Sequence, residues 1–105
     1  MNQEDQAILE AFAEQVRSRF PFARIWAFGS RARESSSPDS DLDVCVVVGD
    51  LTEAVDREIM SMAWEVGFES DVVIATVTFS EAEFSDGPLA ASPLVRAIRR
   101  EGIAA

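Results

Sequence analysis

The sequence predicts a small α/β (α+β) layer fold, three strands alternating with four helices in the order α-β-α-β-α-β-α. Three observations carry that reading. Apolar residues recur at helical spacing before Phe20 and again between Val55 and Val66. The stretch Leu42 to Val48 is apolar on both faces, the signature of a central strand covered on two sides. Pro21, Gly29 and Gly67 fall where one segment gives way to the next.

In chain order, Ile8, Phe12, Val16 and Phe20 form one stripe of a helix from Asp5 to Phe20, and Pro21 stops it. Ala23 to Phe28 is short, rich in β-formers and closed by Gly29, so it reads as a strand. A short helix is expected near Ser30, then a serine-rich loop from Ser35 to Ser40. After the strand Leu42 to Val48, Thr52 caps a helix whose buried stripe is Val55, Ile59, Met62 and Val66, with Gly67 as its C-cap. Phe68 to Phe79 is expected as the third strand. Ser80 and Glu83 have the spacing of a capping box for a short helical turn. Ser92 and Pro93 suit the N-cap and first position of a last helix ending at Gly102.

The 105 residues suit a single domain over positions 1–105. No apolar stretch reaches the roughly 20 residues of a membrane span. The acidic start "MNQEDQAILE" lacks the plan of a signal peptide. One cysteine excludes an internal disulfide, and the absence of histidine excludes histidine-based catalysis. A cytoplasmic protein is expected. The formal net charge of -10 argues against direct nucleic-acid binding and favours a basic protein partner or bound cations. Every cation is arginine. Arg96, Arg99 and Arg100 are expected on one side of the last helix, as a solvated face or a docking patch. Cys45 and Trp64 are expected to be structural.

The chemistry concentrates in "FGSRARESSSPDSDLDVCVVV". Asp41 and Asp43, two apart on a strand, share a face and repel, which a hard divalent cation would relieve. The spacing alone is weak, because a solvated strand end produces it too. Gly29 and Ser30 follow a strand and open a helix, a place where backbone and phosphate can come close. Arg31 and Arg33 add positive charge suited to phosphate. Asp71, inside the expected third strand, is a residue that strands disfavour; beside Leu42–Val48 it would converge on Asp41 and Asp43. Three carboxylates can hold two metal ions. Glu69 is a spare candidate.

Gly29-Ser30, ten residues, then Asp41-Leu42-Asp43 resembles the signature of the DNA polymerase beta-like nucleotidyltransferase superfamily. "GSRAR…SDLDVCVVV" and "SPLVRAIRREGI" look like its minimal nucleotidyltransferase (MNT) branch, the MntA-type antitoxins encoded beside HEPN-domain toxins. The resemblance covers nearly the whole chain. It departs at Glu34, where many members carry glycine.

The resemblance implies the small nucleotidyltransferase fold, a three-stranded mixed sheet packed with helices. It implies that Asp41, Asp43 and Asp71 are the catalytic carboxylates and bind two Mg2+ ions. Gly29 and Ser30 would hold the triphosphate of ATP, with Arg31 and Arg33 as helpers. The reaction would transfer AMP from ATP to a hydroxyl of a partner protein, a tyrosine of a HEPN-family toxin, in a hetero-oligomeric toxin–antitoxin pair. The length leaves no room for the helical domain that larger relatives use to hold an acceptor, so the acceptor surface is expected from another molecule. Two competing readings are a non-catalytic antitoxin that masks its toxin and adenylyl transfer to a small molecule.

Overall fold

The computed structural model describes residues 1–35, 37 and 39–105, so Ser36 and Pro38 of the expected serine-rich loop lie outside the described residues. Helix α1 spans Gln3–Arg19 and is capped by Asn2, whose side chain accepts from the Asp5 N–H at 2.8 Å. It buries Asp5, Leu9, Phe12, Ala13 and Val16, leaving Ile8 and Phe20 at the edge of the stripe. Strand β1 is Arg24–Phe28, α2 is the single turn Gly29–Ala32, and β2 is Leu42–Val48, the bounds its apolar run implies.

The third strand departs from expectation. The sequence reading starts it at Phe68, but helix α3 spans Glu53–Ser70 and strand β3 only Ile74–Ser80. Asp71 ends α3 in the left-handed region at φ 56° and ψ 41°, a conformation aspartate tolerates better than most residues. The Asp71 and Val72 N–H groups turn back onto the Phe68 and Gly67 carbonyls. Phe68 stacks on Trp64 one turn earlier, ring centroids 5.1 Å apart, and so continues the helix. Gly67 therefore lies inside α3 and is not its C-cap. A Cβ there would overlap the Val72 carbonyl oxygen where the chain doubles back.

After β3, Ser80 and Glu83 form the expected capping box of α4, Glu81–Ser85. A 3-10 turn, Pro88–Ala91, leads to α5, Pro93–Glu101, capped by Ser92. A further strand, β4 at Ile103–Ala104, was missed because two residues show no alternation. Among the described residues the sheet therefore has four strands, not three, in the order β3-β2-β1-β4. It is mixed: β2 pairs with β3 in parallel, and β1 is antiparallel to both β2 and β4.

The two faces of β2 build two cores. Leu42, Val44, Val46 and Val48 pack with α1 and α3 residues such as Phe12, Val16, Ile59 and Val66. Cys45 and Val47 pack with Phe79, Phe84, Val95 and Ile98. Each such large side chain contributes about 1.5–3 kcal/mol on full burial. Cys45 is structural as expected: it is fully buried, and burial pushes its thiol pKa up to about 12. Trp64 is not, because it stands 68% exposed on the outer face of α3. No helix among the described residues is long and apolar enough to cross a membrane.

Candidate active site

Strand alternation puts Asp43 on the face of β2 that carries Cys45 and Val47. It sits at the end of that face where the apolar cover stops, and it is only partly buried. Asp41 precedes the strand and is exposed. Across the sheet, Phe28 of β1 lies opposite Asp43 in the antiparallel register. Directly after Phe28, Gly29 adopts φ 77°, a left-handed conformation that any other residue resists. A Cβ at Gly29 would overlap Oδ2 of Asp43, so the glycine is there to let backbone and carboxylate meet. α2 is too short to carry an appreciable macrodipole, so closeness is what this turn contributes.

Burial and the neighbouring Asp41 charge push the Asp43 carboxyl above its ordinary pKa, and Arg33 pulls it partway back. Among the described residues, no side-chain hydrogen bond or ion pair engages Asp41 or Asp43. Two adjacent carboxylates, one desolvated and neither paired, beside a close backbone turn make an arrangement that one hard cation would satisfy.

The other expected site residues separate. Ser30 lies in α2 next to Gly29, half-buried, with its carbonyl accepting from the Ser35 N–H at 2.9 Å. Arg33 is exposed, 3.4 Å from Glu101, and its charge reaches Asp43. Arg31 points elsewhere. Its guanidinium forms a buried 2.7 Å pair with Asp5 of α1 and donates to the Ser40 carbonyl at 2.7 Å. Those bonds join α2 to α1 and to the residue before Asp41.

Asp71 is not inside β3. At the C-cap of α3 it lines a polar cleft of about 540 Å³ with Asn2, Asp5 and Arg31. Glu69 is on the exposed surface of the same helix. The parallel register instead sets Ala75 opposite Asp43. Among the described residues, no group of three or more Asp, Glu, Cys or His side chains is placed to share a metal ion. Sequence reasoning passed over Ala75 because it put the carboxylate of "SDVVIATV" in the strand. Counting back from the capping box at Ser80 would have located the strand later. The Asp5–Arg31 pair carried a fainter signal, an acidic residue in the first turn of a helix.

The arginines of the last helix also separate. Arg99 donates to the Phe84 carbonyl at 3.0 Å and lies 4.4 Å from the centroid of that ring, tying α5 to α4. Arg96 and Arg100 remain exposed.

The chain matches the family model of the nucleotidyltransferase domain over residues 9–104. None of the curated proteins compared by sequence matches it. Among solved structures it is similar to a toxin–antitoxin crystallised with AMP-PNP: TM-score 0.62, 19% identity, 90% of this chain and 69% of that one covered. It is also similar to two mutants of the toxin–antitoxin MntA-HpeT. One has a TM-score of 0.58 and 18% identity, covering 98% of this chain and 71% of that one. The other has a TM-score of 0.59 and 18% identity, covering 100% and 72%. At such identities these likenesses establish the fold.

Proposed function

The chain belongs to the nucleotidyltransferase domain family, and on that premise we propose that it is the nucleotide-handling antitoxin of a toxin–antitoxin pair. Its site takes ATP and directs AMP to a hydroxyl of the partner, a tyrosine of a HEPN-family toxin. The observation that carries the reading is the contact between Gly29 and Asp43, with Asp41 beside them, on a four-stranded mixed sheet. The left-handed Gly29 lets backbone and the Asp43 carboxylate lie against each other, where any side chain at position 29 would collide with that carboxylate. Three structural neighbours are toxin–antitoxin assemblies, one of them crystallised with AMP-PNP, which agrees with this choice of partner and substrate class.

The residues fit one divalent cation. Asp41 and Asp43 would hold it, and Mg2+ commonly binds through one or two carboxylates together with substrate phosphates. When bound, it neutralises phosphate charge and polarises the α-phosphorus. Gly29 and Ser30 offer the turn against which the triphosphate lies, and Arg33 supplies positive charge at the same end of the sheet. In the transfer, the acceptor oxygen bonds to the α-phosphorus, the bond to pyrophosphate breaks, and the hydroxyl proton passes to solvent water. The acidic surface suits a basic partner, whose approach it would speed at low salt.

The test is intact-mass measurement after incubation with Mg-ATP and the partner toxin. A gain of AMP units on the toxin, lost with Asp43→Asn, is expected. An unmodified toxin that is nonetheless silenced would favour the second reading, a mask that binds without transfer. The separation of Asp71 from the aspartate pair is the observation on that side.

A further inference from the structure

We infer that this chain holds one divalent cation with its nucleotide, not two, because Ala75 occupies the strand position from which a third carboxylate would reach Asp43. The inference rests on the nucleotide-binding reading above and concerns the composition of that same site.

The sheet register fixes the position. β2 and β3 run parallel with Leu42 opposite Ile74, Asp43 opposite Ala75 and Cys45 opposite Val77. Residues in register on neighbouring strands project to the same face, with backbones about 4.8 Å apart. The packing agrees: Cys45 and Val47 share one core with Val77 and Phe79. Position 75 therefore stands beside Asp43, on the same face and half-buried at the same open end. A carboxylate there could share an ion with Asp43; a methyl group cannot. On the other side of Asp43 the in-register residue is Phe28, which supplies no ligand either.

Among the described residues, no acidic group joins Asp41 and Asp43 in its place. From Ile74 to Ser80 β3 contains no Asp or Glu. Asp71 is four residues before Ala75, at the α3 cap; it borders the cleft shared with Asn2, Asp5 and Arg31 and also the groove that runs along Val72–Thr76, and it is not grouped with Asp41 and Asp43. Glu69 is held on α3 by helical geometry. Two carboxylates with substrate phosphates match a single Mg2+. A two-ion site needs further oxygen ligands that this face does not offer.

The count of ions can be read without any transfer reaction. Mn2+ is titrated into the protein with saturating AMP-PNP, and free Mn2+ is followed by its paramagnetic resonance signal. One bound ion per nucleotide complex is expected for the native chain and for Asp71→Asn, an exchange the left-handed cap tolerates. Ala75→Asp should raise the count to two, with circular dichroism confirming its fold. Two ions on the native chain would overturn the inference, and a fall to one in Asp71→Asn would identify Asp71 as the missing ligand. That result needs no variant at position 75. A folded Ala75→Asp that still binds one ion would also overturn the assignment of that position. Failure of AMP-PNP and Mn2+ to bind at all would defeat the nucleotide reading itself, and this inference with it.

Discussion

Arg31 and Arg33 are two residues apart on the same turn, identical in chemistry, and they do different work. Arg31 is turned inward: its side chain is 10% exposed and paired with an Asp5 side chain that is 6% exposed. Arg33 is turned outward, 52% exposed, with a loose partner in Glu101 and its charge felt at Asp43. In "GSRAR" the two look like equivalent phosphate ligands. What separates them is which one meets a buried carboxylate. The charge of Arg31 is already used in joining α2 to α1, while that of Arg33 is open to a ligand.

The comparison breaks first on stability. Arg31→Met leaves Asp5 as a buried carboxylate without its 2.7 Å partner. A loss of about 3 kcal/mol is expected, since removing one member of a buried pair strands the other. Urea denaturation measures it. The double variant Asp5→Leu with Arg31→Met should recover most of that loss. Failure to recover would mean that Arg31 stabilises chiefly through its bond to the Ser40 carbonyl.

A smaller effect is expected at the residue that ends this turn. Glu34 adopts φ 58°, a region costing a non-glycine residue about 1–2 kcal/mol. Its only ion pair among the described residues is a 3.8 Å contact with the N-terminal amine. Glu34→Gly should stabilise by about 1 kcal/mol after the entropy that glycine restores to the unfolded chain. This also accounts for the glycine that the resemblance led us to expect there. A lower melting temperature in Glu34→Gly would show the left-handed turn to be unstrained.

Arg33→Gln should do the reverse of the Arg31 change. Stability should stay within about 0.5 kcal/mol, as for most exposed positions, while AMP-PNP affinity falls several-fold and loses part of its salt dependence. The carboxyl of Asp43 should also titrate still higher, since Arg33 is the group that lowers it. NMR titration of the Asp43 carboxyl carbon checks the direction.

The least effect is expected from pH on the apo chain. The raised pKa of Asp43 means that the folded state binds its proton more tightly than the unfolded state. The associated stability is present at acidic pH and is lost as pH rises through the folded value. At neutral pH without metal, Asp43→Asn should therefore melt slightly higher than the native chain, within about 4 °C. A clear fall would mean that the carboxylate serves the fold.

Legibility in the sequence followed the range of the interaction responsible. β2 could be read at its correct bounds because six of its seven residues are buried, on both faces, and leave an apolar run broken only by Asp43. The Ser80 and Ser92 caps could be read because a cap is a local hydrogen bond across three residues. Asp41 and Asp43 stood out for the same reason, as near neighbours in the sequence, although Asp41 falls just before β2. Asp71 misled because its role depends on where α3 stops, which the left-handed cap decides and no periodicity announces. Ala75 was invisible as a site position until the register of β3 against β2 was known. Trp64 was expected to be structural, yet α3 carries an outward apolar pair in Trp64 and Phe68 that no core requires.

Cys45 gives the molecule a built-in clock. It is the only thiol, fully buried at the centre of β2, and its high pKa leaves almost no thiolate at neutral pH. Local fraying at loops or at α2 does not uncover it; the cover of Phe84, Val95 and Ile98 from α4 and α5 must lift or the sheet must part. Alkylation by a thiol reagent therefore counts openings of this core, and its rate under native conditions reports the population of those openings. One added nucleotide or cation that slows the labelling reveals, without any engineered probe, how far its binding at the edge of the sheet is felt in the middle.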